Sequence, residues 1–184
     1  MYKPYIIVLL AYTGSMNVPG QMKKEIEAFY GIPILDIQKT LSTPQMLEPK
    51  RNRYKADVVL REIQRKFPKN AVLILSSKEI AMNKHGYYDW GILGYSIVGK
   101  EVGLVSTKKI KSKALLTNVT LHEFGHSIGL PHCSSKLACL MKDARGSGER
   151  IRKQGKRLCK PCKVLLTKIK QGDEGFFRFL DIFN

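Results

Sequence analysis

With 184 residues, 43% hydrophobic and 26% charged, the chain has the size and balance of one globular domain, long enough to build a core without disulfides or metal. Its longest apolar run, residues 5–12, is far too short to cross a bilayer as a helix, so no membrane association is expected. The formal net charge of +17 permits attraction to nucleic acid or other anions; however, the charge is spread along the chain, and no aromatic residues interleave its denser stretches at 108–113 and 142–160. A solvated basic surface is therefore the default reading, and charge alone decides no function.

Taken in chain order, residues 5–10 (YIIVLL) read as a buried strand bounded by Thr13-Gly14. The three residues before the run make a poor signal peptide, so a cytoplasmic protein is expected. Residues 21–30 place Met22, Ile26 and Phe29 on one helical face, with Gly31 as the stop. Residues 34–37 form a short strand candidate. An amphipathic helix is expected over 53–67, with Val59, Leu60, Ile63 and Phe67 in register and Pro68 ending it. Residues 71–75 (AVLIL) are another buried strand, and 95–98 and 101–106 flank Gly99-Lys100 as a hairpin with a tight turn. A helix over 115–129 follows. Residues 131–158 read as mostly irregular, 159–170 as a helix, and 175–183 as an aromatic tail that docks on the core. The succession of strands and helices predicts an α/β (α+β) layer.

The predicted helix at 115–129 carries His122-Glu-Phe-Gly-His126-Ser-Ile-Gly-Leu-Pro-His132. Histidines four apart are turned by about 400° around a helix, so both imidazoles leave from one face and can grip one ion. Glu123 is turned by about 100° from His122, close enough to take a proton from a water at that ion. Gly129 permits a sharp change of direction through positive φ, and His132 then returns as third ligand. Three neutral nitrogens leave a fourth position open, the mark of a catalytic rather than structural zinc.

Cys133, Cys139, Cys159 and Cys162 form a second constellation. Cys159-Lys-Pro-Cys162 has zinc-knuckle spacing, and in a chain without an export signal metal ligation is the better default than disulfides. Four thiolates close a tetrahedron, so this zinc is expected to be structural, tying the loop after the active-site helix to the C-terminal segment. Free buried thiols or disulfides remain alternatives. A redox role is weaker, because no thioredoxin-like context surrounds the pair.

With both constellations together, the chain resembles the archaemetzincins, a branch of the metzincin metallopeptidases, on HExxHxxGxxH, an immediately following cysteine, Cys139-Leu-Met141, and a CxxC seventeen residues later. Five residues separate Cys133 from Cys139, one more than is usual in that family. The resemblance implies a metzincin-like zincin fold: a mixed twisted sheet with helices, an active-site helix, and a smaller C-terminal subdomain. On that basis residues 1–184 form a single metallopeptidase domain, 1–130 and 131–184 being its two parts. It also implies that Met141 is the Met-turn residue beneath the histidines, and that an edge strand within 95–106 pairs with an extended substrate.

The expected function is a monomeric zinc metallopeptidase with two zinc ions per chain, hydrolysing peptide bonds with a metal-activated water and Glu123 as general base. Tyr87, Tyr88 and Tyr95 are candidates for oxyanion help, although packing is the commoner role. His85 reads as a loop residue and Trp90 as core or cleft wall. Aminopeptidase-like or narrow specificity is as compatible as broad endopeptidase action. Two other classes fit the same residues: a catalytically silent binding module, and a zinc-stabilised nucleic-acid-binding protein.

Overall fold

The computed structural model of the chain describes residues 3–40, 44–48, 50–84, 86–144 and 147–172. Residues 175–183 and His85, assigned above to a docking tail and a loop, lie outside them.

A five-stranded sheet organises the molecule, in the order β2-β1-β5-β9-β8. Its strands are β1 (Tyr5–Leu10), β2 (Ile34–Thr40), β5 (Ala71–Ser76), β9 (Val102–Ser106) and β8 (Gly94–Ser96). The first four pair in parallel, and β8 is an antiparallel edge strand, so the sheet is mixed as expected. Continuous apolar runs in β1 and β5 mean that both faces are covered. Side chains alternate accordingly: Tyr5, Ile7 and Leu9 join one core cluster, Ile6, Val8 and Leu10 the other.

On the first face lie α1 (Asn17–Tyr30), α3 (Lys113–Ser127) and the C-terminal α5 (Lys160–Gln171), all contributing to one apolar cluster. Helix α3 is buried all round from Leu116 to Ser127, which explains why it carries no amphipathic period. Ser112 caps its start by accepting from the Leu115 N–H. Phe124 is fully buried there, its ring 4.7 Å from that of Tyr5 and 5.2 Å from that of Tyr30. The second face is covered by α2 (Ala56–Lys66), whose Val59, Leu60 and Ile63 are buried.

Two expectations need correction. Residues 53–55 are not helical: they form β4 (Arg53–Lys55), which belongs to a second sheet of order β3-β4-β6-β7, with β3 (Leu47–Glu48), β6 (Ile80–Lys84) and β7 (Tyr87–Ile92). Arg53 is spent on that sheet, bridging Glu79 at 2.8 Å and Asp89 at 3.6 Å. Nor do 97–101 form a tight two-residue turn. Ser96 pairs with Gly103, and the longer connection turns instead onto α3, where the Gly99 and Glu101 N–H groups donate to the His126 and Ser127 carbonyls. The helix end that would otherwise lack donors is thereby satisfied. The stretch read as mostly irregular is so among its described residues, with one short helix, α4 (Gly148–Gln154), within it. Other boundaries shift by a few residues. Helix α1 begins at Asn17 and ends, as expected, at Gly31 with φ +63°.

Among the described residues no helix is long and apolar enough to cross a membrane. Because Phe124 joins α3 to both β1 and α1, Phe124→Ala is expected to destabilise the fold by about 3–5 kcal/mol. Urea unfolding of the purified variant would measure this; a loss within experimental error would mean that α3 is not the keystone of that cluster.

Candidate metal centre

Two groups of metal-capable side chains converge among the described residues: His122, His126 and His132, and Cys133, Cys139, Cys159 and Cys162, each set with its donor atoms within 4.8 Å of one another. The histidines come together because α3 supplies two on one face and Gly129, at φ +112°, turns the chain back. The His132 ring then lies 4.6 Å from His126 and 5.6 Å from His122, centroid to centroid.

The hydrogen bonds fix the state of the two buried rings. His122 Nδ1 lies 2.8 Å from the Leu140 carbonyl oxygen, and His126 Nδ1 lies 2.7 Å from that of Leu130. A carbonyl oxygen only accepts, so each proton sits on Nδ1 and each Nε2 presents a lone pair. Burial holds both rings neutral, lowering His122 to about 4 and His126 to about 3. The two Nε2 atoms nevertheless stand 3.0 Å apart. Two lone pairs at that distance repel unless a cation lies between them. Tetrahedral zinc would set such nitrogens about 3.3 Å apart, so the donor set fits zinc.

The four cysteines pass a similar test. All are free thiols, with Cys133 Sγ 3.5 Å from Cys159 Sγ and Cys139 Sγ 3.6 Å from Cys162 Sγ. The edge of a zinc tetrathiolate is about 3.8 Å. Cys159 is the N-cap of α5 and Cys162 sits in its first turn, so the helix start aims both sulfurs one way.

Glu123 is buried beside the histidines. Burial raises its carboxyl to about 7, against the hydrogen bond from Ser96, which alone would lower it. Ser96 Oγ lies 2.8 Å from Glu123 Oε2 and 3.0 Å from the Glu123 carbonyl oxygen. Gly94, two residues earlier on the same strand face, touches the same side chain: a Cβ there would fall 2.5 Å from Glu123 Cγ. A Cβ on Gly103, the partner of Ser96, would fall 2.7 Å from the Ser96 hydroxyl. These three residues escape a reading of the sequence. The only signal was the glycines themselves, since glycine within a strand often marks a close approach of backbone.

Beneath the helix, Met141 is fully buried, and a Cβ on Gly125 would meet both its Sδ and the Tyr30 hydroxyl at 2.6 Å. Tyr30, from α1, donates to the Leu121 carbonyl at 2.7 Å and was also not anticipated. The tyrosines singled out from the sequence lie elsewhere. Tyr95 packs on the opposite sheet face with the α2 cluster, and Tyr87 and Tyr88 stand exposed on β7. Trp90 is half-exposed rather than core, its ring 5.5 Å from that of Tyr87.

A mixed sheet backed by a buried helix that carries two of three clustered histidines defines a zincin-type fold. More narrowly, the fold is that of the archaemetzincins. The crystal structure of archaemetzincin from Methanopyrus kandleri aligns with a TM-score of 0.77 at 16% identity, covering 92% of this chain and 96% of that one. Archaemetzincin from Archaeoglobus fulgidus, complexed with malonate, aligns at 0.72 and 16% identity over 87% and 98%. A zinc-dependent peptidase from Methanocorpusculum labreanum aligns at 0.72 and 18% identity over 88% and 99%. In sequence, a curated archaemetzincin from Aeropyrum pernix is 33% identical over 91 residues, which is 46% of this chain and 48% of that protein. The matched part thus spans about half the length of that relative. No protein-family model matches the chain. The resemblance to archaemetzincins drawn from the motif is borne out by these comparisons.

The crowding at Gly125 has a measurable counterpart in α1. Gly125→Ala is expected to cost about 1–3 kcal/mol through overpacking against Met141 and Tyr30. Gly20→Ala, with nothing within 4 Å of the added methyl group, is expected to stabilise by about 0.5–1 kcal/mol. Thermal unfolding of the pair would show opposite shifts; equal shifts would refute the close approach.

Proposed function

We propose that the chain is a zinc-dependent peptidase with its catalytic zinc held by His122, His126 and His132, and with a structural zinc held by Cys133, Cys139, Cys159 and Cys162. The reading rests above all on the paired Nε2 lone pairs, 3.0 Å apart, beside a buried carboxylate. When bound, the catalytic zinc supplies a Lewis acid that polarises the scissile carbonyl and makes water nucleophilic near neutral pH.

The chain's own residues supply positioning and proton transfer. Glu123 accepts a proton from the attacking water and delivers it to the departing amine. Burial raises the affinity of this carboxyl for a proton, the direction that favours its taking one from the water. Ser96 holds one carboxylate oxygen, Oε2, and the other, Oε1, lies against Gly94. The outer edge of β8 carries no strand partner among the described residues, and its Gly94 and Ser96 lie against Glu123. An extended peptide pairing along that edge would therefore pass the proton-transfer group.

The four-thiol centre is assigned the structural role because four sulfurs complete a tetrahedron. In the same reading residues 1–184 are one catalytic domain, with the thiol centre fastening the part after residue 130 beneath the active-site helix. Met141 is its apolar floor. Four free thiols also suit a reducing compartment such as the cytoplasm.

Glu123→Gln is expected to retain two zinc ions per chain and to lose about 10²–10⁴-fold in kcat/KM. A diverse peptide library with products read by mass spectrometry would measure the loss, and elemental analysis would count the metal. Cleavage by the variant at the wild-type rate would remove Glu123 from the mechanism. Replacing Cys159 and Cys162 together by serine is expected to lower the metal count from two to one. It should also abolish the thiolate-to-metal charge-transfer band of the cobalt-substituted protein. A band that persisted would assign the thiol site to other residues.

A further inference from the structure

The carboxyl ends of the four parallel strands do not all lead the same way. After β1 the chain passes to α1 on the first sheet face, whereas after the adjacent β2 it passes by way of β3 and β4 to α2 on the second face. Connections that leave adjacent strands toward opposite faces open a crevice at the carboxyl ends of those strands, where open α/β sheets commonly take ligands. The metal centre lies at the other end of the sheet. Helix α3 starts after the carboxyl end of β9 and runs back, so that the carbonyls of His126 and Ser127 meet Gly99 and Glu101 at the start of β9.

The crevice exists here as a cavity of about 550 Å³ whose wall is drawn from the carboxyl ends of β1, β2, β5 and β9. Among its described lining residues three are lysines, Lys39 near the end of β2, Lys78 after β5 and Lys108 after β9, and none is acidic. Lys66 joins them at the rim, donating to Thr40 Oγ1 at 2.9 Å. Glu79, next in sequence to Lys78, is engaged elsewhere: it is held by Arg53 at 2.8 Å and by Lys109 at 3.0 Å. Lys78 instead donates to the neutral Asn52 side chain, at 2.7 Å. Thr13 and Ser77 meet at the wall, where the Thr13 N–H donates to Ser77 Oγ at 2.8 Å, and both are hydroxyl-bearing residues. Apolar atoms of Leu9 complete it.

We infer that this crevice is a binding site for a small phosphorylated molecule, separate from the metal centre and independent of the peptidase reading. Like charges at the mouth of one cavity, with no acidic residue among the described lining, repel one another, and a bound dianion removes that cost. Lysines act as mobile point charges toward phosphate, and hydroxyl groups can complete the coordination of its oxygens. The volume exceeds that of a phosphate alone and leaves room for a small organic body on the apolar part of the wall.

The test titrates the full, metal-loaded chain with inorganic phosphate and with glycerol 3-phosphate, following backbone amide NMR signals. Saturable shifts at Thr13, Ser77 and Lys108 are expected with both probes, and tighter binding of glycerol 3-phosphate would support a ligand with an organic body. Lys39→Ala combined with Lys108→Ala should weaken binding at least tenfold, whereas Lys39→Arg with Lys108→Arg should retain it. Lys24→Ala with Lys168→Ala, two exposed lysines placed elsewhere, is the control and should change nothing. Shifts that grow linearly without saturating, or an equal loss in the control pair, would overturn the site and return the effect to general surface charge.

Discussion

The peptide group of Leu140 is fixed from both sides, and both donor clusters depend on it. Its carbonyl takes the Nδ1 proton of His122 at 2.8 Å, and its N–H donates to the Arg157 carbonyl at 2.7 Å. Its neighbours are Cys139, one of the four clustered thiols, and Met141, which lies under the helix. Cys133, next in sequence to His132, closes the loop by donating its N–H to the Met141 carbonyl at 2.8 Å. The orientation of a histidine ring on α3 is thus set by a segment that α3 does not contain. That segment is held in turn by sulfurs near the start of α5. A ring aimed by a partner of this kind keeps its lone pair pointed without spending rotamer freedom at the moment of ligation.

The second constraint is closeness. Gly94 and Gly103 bring the β8–β9 hairpin against one side of α3, and Gly125 admits Tyr30 and Met141 on the other. Such contact excludes water around Glu123, which is costly for a carboxylate, and the Ser96 hydroxyl offsets part of that cost. The same glycines that leave room for packing therefore determine the proton affinity of the group they surround. Packing and electrostatics are not separable here.

How much of this could be read in the sequence varies by element. The histidine centre was legible because its three donors fall within eleven residues, on a helix whose period and a turn whose glycine are both local features. Strands β1 and β5 were legible as unbroken apolar runs. The second sheet was not: β3 and β4 are two and three residues long, and Arg53–Lys55 continues the amphipathic period of α2 although its backbone pairs with β6. Ser96 and Gly94 were out of reach for another reason. They lie far from Glu123 along the chain and meet it only because an edge strand is laid across a helix, a tertiary fact that no local pattern records. The connection at 97–101 was misjudged for the same reason, since its hydrogen bonds are spent on the helix rather than within the hairpin.

That connection has a consequence for the motions of the molecule. The amide protons of Gly99 and Glu101 belong to a loop by position, yet each is held by a carbonyl of the helix that carries the histidines. Solvent deuterium can reach them only when loop and helix part. Their exchange rates therefore report on the local opening of α3 at its carboxyl end, read from residues that lie outside it.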